Sequence, residues 1–131
     1  MSEQVSTRPL VDKLGIGPGM RVAIVGVPDA SLLDMLRTRT DDITKGSPRS
    51  ATDVVFLGAD SVEQLASLTV LRARLKPSGA IWVVSRKGRT ATLRDVEVIA
   101  AARAAGLVDN KVVSFSETHT SLRLVIPLGL R

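Results

Sequence analysis

The chain has 131 residues, of which 44% are hydrophobic, 18 are lysine or arginine, 13 are aspartate or glutamate and none is cysteine. This length and hydrophobic content predict one domain with a real core and argue against disorder. The absence of cysteine excludes disulfides, thiolate chemistry and cysteine-based zinc sites, and the single histidine, His119, excludes a multi-histidine metal centre.

The beginning of the chain is polar. Residues 1–8 are predicted to form a flexible tail rather than a signal peptide, and residues 9–131 are predicted to form a single domain. No apolar run is long enough to cross a bilayer, so we expect a cytoplasmic location.

Strands are predicted where short runs of apolar and β-branched residues are bounded by turn residues. Five such runs occupy residues 20–27, 53–57, 80–84, 111–116 and 122–126. The first three are apolar on both faces, which is typical of parallel strands that are covered on both sides. Only residues 117–121 separate the last two runs. This is too short for a crossover, so the last pair is predicted to be antiparallel.

Helices are predicted between these strands, at residues 9–14, 31–37, 61–75 and from Thr90 or Thr92 to Gly106. The third helix begins with a capping-box pattern, and its apolar stripe is Val62, Leu65, Leu68, Leu71 and Leu75. The predicted inward face of the fourth helix is Val96, Ile99, Ala100 and Ala104. Residues 38–52 are polar and show no period, so they are predicted to form a loop.

These elements predict a three-layer α/β sandwich with five strands in the order 1-2-3-5-4, parallel except for the last. In this order the first strand lies at an edge of the sheet with unpaired backbone groups. Because proteins seldom leave such an edge bare, we expect residues 38–52, the amino-terminal segment or a second copy of the chain to cover it. We favour a homodimer through this edge.

Several phrases resemble class I adenosylmethionine-dependent methyltransferases. The phrase GPGMRVAIVG at residues 17–26 resembles their first motif. DVVFL at 53–57 resembles their fourth-strand motif, and LKPSGAIW at 75–82 resembles the turn before their fifth strand. The end of the chain, which carries AGLVDNKV at 105–112, Glu117, and LRLV at 122–125, resembles a small, uncharacterised family of bacterial Rossmann-like proteins. The resemblance covers residues 9–127 and implies a reduced Rossmann-like, methyltransferase-like fold.

The departures from the methyltransferase pattern bear on the cofactor. The first motif of those enzymes has several glycines that let the backbone approach adenosylmethionine, whereas here Gly26 is followed by Val27 and Pro28. Residues 28–52 are too few for two further strand–helix units, so the strand whose end carries the ribose-binding acid is predicted to be absent. Adenosylmethionine is therefore not expected as a cofactor.

Parallel sheets bind ligands at the carboxyl ends of their strands. Four loops, at residues 26–31, 58–61, 85–90 and 117–121, are predicted to share one rim, because the fourth strand runs parallel to the first three. Eight residues of these loops are candidates for a ligand site: Gly26, Asp29, Asp60, Arg86, Lys87, Arg89, Glu117 and His119.

Each group of candidates has two interpretations. Arg86, Lys87 and Arg89 precede a predicted helix start and have the charge to bind a phosphate or carboxylate, but exposed loops are commonly charged. His119 and Glu117 have the chemistry of a general base held by a carboxylate, although a histidine at a hairpin tip is more often a solvated turn residue.

The remaining candidates have ordinary structural interpretations. Asp29 and Asp60 each follow a strand and precede a helix, which is typical of helix caps. Trp82 lies in an apolar strand and is predicted to pack in the core, where its indole N–H would need a partner.

We therefore expect a non-catalytic ligand-binding or protein-interaction module with a degenerate cofactor loop, no catalytic residue and no metal. The alternative is a divergent adenosylmethionine-dependent transferase, or a small hydrolase, that acts on an anionic substrate at the rim. The net charge of +5 suits a small anionic ligand. Because basic and acidic residues are mixed and aromatic residues are scarce, neither nucleic acid nor a membrane is an expected partner.

Overall fold

Six strands form one sheet in the computed structural model, which describes residues 8–131. The predicted tail at residues 1–8 lies outside this range except for Arg8. The strands are β1 (Val22–Val25), β2 (Ile43–Lys45), β3 (Thr52–Gly58), β4 (Leu75–Arg86), β5 (Val108–Ser114) and β6 (His119–Val125). Their order across the sheet is β2-β1-β3-β4-β6-β5. β2, β1, β3 and β4 are parallel, and β6 is antiparallel to both β4 and β5. The predicted fold class, the order of the five predicted strands and the closing antiparallel pair are confirmed.

Helices cover both faces of the sheet. They are α1 (Leu10–Lys13), α2 (Ala30–Arg37), α3 (Leu68–Arg72) and α4 (Asp95–Ala104). Because successive side chains of a strand point to opposite faces, the apolar strands supply two separate cores. The first two helices pack over Phe56 and Trp82, and the last two pack over Val55 and Ile81. This arrangement is the predicted three-layer sandwich.

The prediction of a loop over residues 38–52 is wrong at β2. Ile43, Thr44 and Lys45 pair in parallel with β1, so the sheet has six strands rather than five, and β1 is not an edge. The run is too short to give a periodic signal, and its strand conformation depends on long-range contacts. The physical reason to expect a dimer through β1 is therefore removed, because β2 satisfies that edge within the chain.

A single arginine holds the polar segments on both sides of β2. The Arg21 guanidinium donates to the Asp42 carboxylate at 3.1 Å and to the carbonyl oxygen of Ser50 at 2.6 Å. The backbone N–H of Arg21 donates to the Asp53 carboxylate at 2.8 Å. These bonds join residues that lie 21 to 32 positions apart, so local sequence patterns do not indicate them.

The predicted helix over residues 61–75 is divided. Glu63–Ser67 is a 3-10 turn, α3 follows it, and Leu75 already belongs to β4. Val62, predicted to lie on the buried stripe, is 49% exposed. Residues 75–79, predicted to be a helix end and a turn, form an irregular start of β4, where a side chain on Gly79 would lie 2.9 Å from the Asp53 carbonyl oxygen.

The inward face of α4 also differs from the prediction. Val98 and Ala102 are its buried residues, whereas Val96 is 62% exposed and Ala100 and Ala104 are exposed. The alanines of this helix are distributed around most of its circumference, so the sequence pattern does not define one apolar face. The predicted end of the helix is confirmed, because Gly106 follows it with a φ of +79°.

Candidate functional site

The rim at the carboxyl ends of the parallel strands is built on a close backbone approach. The loops after β1 and β3 meet at Gly26 and Gly58, where a Cβ on Gly58 would lie 2.1 Å from the Gly26 carbonyl oxygen. Gly26 has a φ of +70°, which glycine adopts without strain. These two glycines fix the floor of the rim, and any side chain at Gly58 would force the loops apart.

Asp29 is the N-cap of α2, as its position after a strand predicts. Its carboxylate accepts a hydrogen bond from the Ser31 backbone N–H at 2.9 Å and another from the Ser31 hydroxyl. The Ser31 hydroxyl bond is the largest cause of a lowered pKa for the Asp29 carboxyl, which burial partly opposes. The positive end of this helix is thus already occupied by a carboxylate of the chain itself.

Asp60 joins two loops of the rim instead of capping a helix with its carboxylate. The carboxylate accepts the Arg86 backbone N–H at 2.9 Å and lies 3.7 Å from the Arg86 guanidinium. The Asp60 backbone N–H in turn donates to the Gln64 side chain at 2.7 Å. Asp60 therefore fixes the end of β4 relative to the loop after β3.

The three cationic side chains of the loop after β4 have different partners and do not converge on one point. Lys87 donates to the Ser114 hydroxyl at 2.7 Å, Arg86 faces Asp60, and Arg89 is exposed in a 3-10 turn. The helix start predicted at Thr90 or Thr92 is displaced, because α4 begins at Asp95. The three cations consequently do not lie at a helix N-terminus.

His119 begins β6 and lies opposite Arg86 in the sheet register. Its Nδ1 atom is 2.8 Å from the Thr118 hydroxyl. His119 lines a cavity of about 250 Å³ together with Asp29 and Ser116, whereas Glu117 is exposed and does not line it. The carboxylate that lines the same cavity as His119 is therefore Asp29, and the electrostatic effect of His119 makes a minor contribution to the lowered pKa of Asp29.

A larger cleft lies beside the first two strands, and we name it the rim cleft. It has a volume of about 660 Å³ and lies between the loop after β1 and the end of β2. Its walls are apolar, from Ile24, Val27, Pro28 and Leu33, and Lys45 and Gly46 close its far side. Sequence reasoning missed the last two residues because β2 was not predicted. The only local signal was a β-branched pair before a lysine and a glycine.

The side chain of Lys45 is exposed and has no hydrogen bond or ion pair with the rest of the described range, residues 8–131. It is the one cation of the rim cleft, and Asp29, which faces α2, is its one acid. The cleft can therefore receive a ligand that combines an apolar body with an acidic group.

Two other kinds of site are absent from the described part of the chain. Residues 8–131 contain no group of three or more histidine, aspartate or glutamate side chains that could hold a metal ion. No helix among these residues has the length and apolarity to span a membrane.

Comparisons with known proteins identify a family and a fold. Residues 11–128 match the family described as Protein of unknown function (DUF3052). No curated protein is significantly similar to the chain in sequence.

Solved methyltransferase structures share the fold of the chain. An adenosylmethionine-dependent methyltransferase from Aquifex aeolicus superposes with a TM-score of 0.65 at 14% identity, over 89% of this chain and 88% of that one. A putative methyltransferase from Thermoplasma acidophilum gives 0.57 at 14% identity, over 95% and 77%. The CcbJ methyltransferase from Streptomyces caelestis gives 0.56 at 12% identity, over 86% and 85%. At these identities the similarity shows a methyltransferase-like fold alone.

Proposed function

Since the chain belongs to the DUF3052 family, whose function is unknown, we propose that it is a non-catalytic module that binds a small ligand in the rim cleft. The ligand has an apolar body and an acidic group. The observation that carries this proposal is the composition of the cleft, in which apolar walls face the unpaired ammonium of Lys45. Ligand sites of this size are commonly mostly apolar with a few polar groups that orient the ligand.

The charge at the end of β2 argues against adenosylmethionine. The resemblance to methyltransferases implies an acid at the end of the second strand to bind a ribose. The prediction that this strand is absent is wrong, because β2 pairs with β1 on its outer side, but β2 ends at Lys45 rather than at an acid. In addition, Pro28 supplies no backbone donor in the loop after β1. A lysine in this place favours an acidic ligand over a ribose hydroxyl.

The partners of the rim side chains argue for binding without catalysis. Asp29 caps a helix, Asp60 bonds to Arg86, and Lys87 bonds to Ser114. A group that moves a proton during a reaction must reach the substrate, and these groups are already committed to bonds that hold the loops.

Binding of 8-anilinonaphthalene-1-sulfonate, which combines apolar rings with a sulfonate, tests the proposal. We expect the dye to bind saturably and Lys45→Gln to weaken its affinity about five-fold, because one charge-assisted contact is lost. Arg103→Gln is the matched control, since it removes the same charge from an exposed site on α4, on the other face of the sheet. This control is expected to leave the affinity within about two-fold.

Two further readouts make the test decisive. The amide NMR signals of Gly26 and Gly46 should shift on dye binding, because both residues line the rim cleft. Equal weakening by Lys45→Gln and Arg103→Gln, or no shift at either glycine, would contradict the proposal. A rise in melting temperature with adenosylmethionine would instead favour the divergent transferase.

A further inference from the structure

A second cleft lies away from the rim, between α1 and the strands of the closing hairpin. It has a volume of about 330 Å³, and we name it the basic cleft. Four cationic residues line it: Arg8, Lys13, Lys111 and Arg123. Arg123 is four residues from His119 along β6, which separates the basic cleft from the rim by about 13 Å.

Among the described residues, 8–131, Asp12 is the one acidic residue of the basic cleft, and it pairs with none of Lys13, Lys111 and Arg123. The carboxylate of Asp12 forms an ion pair with Arg39 at 2.5 Å, and Arg39 also donates to the Ile16 carbonyl oxygen at 3.0 Å. Within residues 8–131, the Arg123 side chain donates to the side-chain oxygen of Asn110 at 3.3 Å and forms no ion pair. The cleft therefore carries an excess of positive charge.

The surroundings of Arg123 disfavour its charge. Burial lowers the pKa of its guanidinium, and the nearby positive charge of Arg131 lowers it further. A partly buried cation without a carboxylate partner carries a desolvation cost that a bound anion would offset.

The basic cleft is also held in place by bonds on both sides. The buried indole N–H of Trp82 donates to the Leu14 carbonyl oxygen at 3.1 Å, which fixes the end of α1 on the sheet. Lys111 donates to the Lys13 carbonyl oxygen at 2.9 Å, which joins β5 to the same helix. A site whose groups are already in position loses little conformational freedom when it binds.

From this geometry we propose that the basic cleft binds a small molecule that bears a phosphate or diphosphate group. Arginine presents paired donors that match phosphate oxygens, and lysines from α1 and β5 approach from the two sides. The volume suits a small phosphate ester or a diphosphate group. This site is independent of the rim cleft and of the function proposed for it.

Calorimetric titration with inorganic pyrophosphate at constant ionic strength tests the proposal. We expect saturable binding by the wild type, about ten-fold weaker binding by Arg123→Gln, and about three-fold weaker binding by Lys13→Gln. The control variant Arg103→Gln should stay within about two-fold of the wild type, because its charge lies on the opposite face. Lys13 is half-buried at the last turn of α1 and its ammonium forms no ion pair within residues 8–131, so Lys13→Gln keeps the test valid if Arg123→Gln does not fold.

A variant that binds pyrophosphate more tightly than the wild type distinguishes a binding site from simple destabilisation, because destabilisation lowers the affinity. Asp12→Asn leaves the Arg39 guanidinium without its carboxylate and raises the net positive charge beside the cleft by one, so it should tighten pyrophosphate binding by about two-fold to three-fold. Equal losses in Arg123→Gln and Arg103→Gln, or pyrophosphate binding no tighter than sulfate binding, would overturn the proposal. Tight, strongly salt-dependent binding of a short DNA duplex without pyrophosphate binding would overturn it too, because the surface would then recognise nucleic acid.

Discussion

The rim cleft and the basic cleft differ in the residues that line them and in the contacts that determine their shape. The rim cleft has apolar walls and one cation, and its shape depends on two backbone loops that touch at Gly26 and Gly58. The basic cleft has four cations, and its shape depends on a helix held against the sheet by Trp82. The comparison shows two clefts of different origin in one fold, one shaped by backbone contact and one lined by side-chain charge.

The largest expected effect comes from Gly58→Ala. The added Cβ would lie 2.1 Å from the Gly26 carbonyl oxygen, so the two loops must separate. We expect a loss of about 3 kcal/mol in the free energy of unfolding, measured by urea denaturation, together with weaker dye binding at the rim. Pyrophosphate binding by the folded fraction should be unchanged.

Gly129→Ala is the control for this substitution, because nothing lies within 4 Å of the position where its Cβ would be. It should change the free energy of unfolding by less than about 0.5 kcal/mol. If Gly58→Ala were as stable as Gly129→Ala, the close loop contact would not determine the shape of the rim.

A smaller effect is expected from Trp82→Phe, which acts on the basic cleft. The indole is fully buried, and its loss leaves the Leu14 carbonyl oxygen without its donor and a small cavity beside it. We expect a loss of about 2 kcal/mol in the free energy of unfolding. Amide exchange in α1 should accelerate, and pyrophosphate affinity should fall more than dye affinity.

Phe56→Leu separates the hydrogen bond from the packing. Phe56 is buried in the same core as Trp82, packs against Phe115 and makes no hydrogen bond through its side chain. It should destabilise the fold without accelerating exchange in α1. Equal acceleration by the two variants would show that packing alone positions the helix.

The parts of the fold that the sequence predicts are those with a local signal. β1, β3 and β4 are apolar on both faces, which indicates a covered parallel sheet without knowledge of their neighbours. By contrast, β2 has only Ile43 and Thr44 to mark it, and its conformation comes from pairing with β1. Missing this strand concealed Lys45 and with it one side of the rim cleft.

The candidate sites depend even more on distant residues. The sequence predicts one rim for Asp29 and His119, which are ninety positions apart, but it paired His119 with Glu117. The structure instead places His119 and Asp29 on the same cavity. Lys13 and Arg123 are scattered among acids along the chain, which favoured a solvated surface. Their convergence needs the hairpin and α1 to pack side by side, and no local pattern predicts that.

The smallest effect concerns the cap of α2 and has a defined pH dependence. Because the folded-state pKa of Asp29 is lowered, its carboxylate stabilises the fold at pH values above its ordinary pKa of about 4, and this contribution is lost as the pH falls through the lowered value. Asp29→Asn keeps a cap but removes the charge, so we expect a loss of about 0.5 kcal/mol at pH 7 and none near pH 2. Asp34→Asn, an exposed change within the same helix, is the control. Its difference from the wild type in the free energy of unfolding, measured by urea denaturation, should be the same at the two pH values. A difference between wild type and Asp29→Asn that persisted undiminished at pH 2 would mean that the cap stabilises α2 through its hydrogen bond alone, and that the charge facing the rim cleft does not contribute.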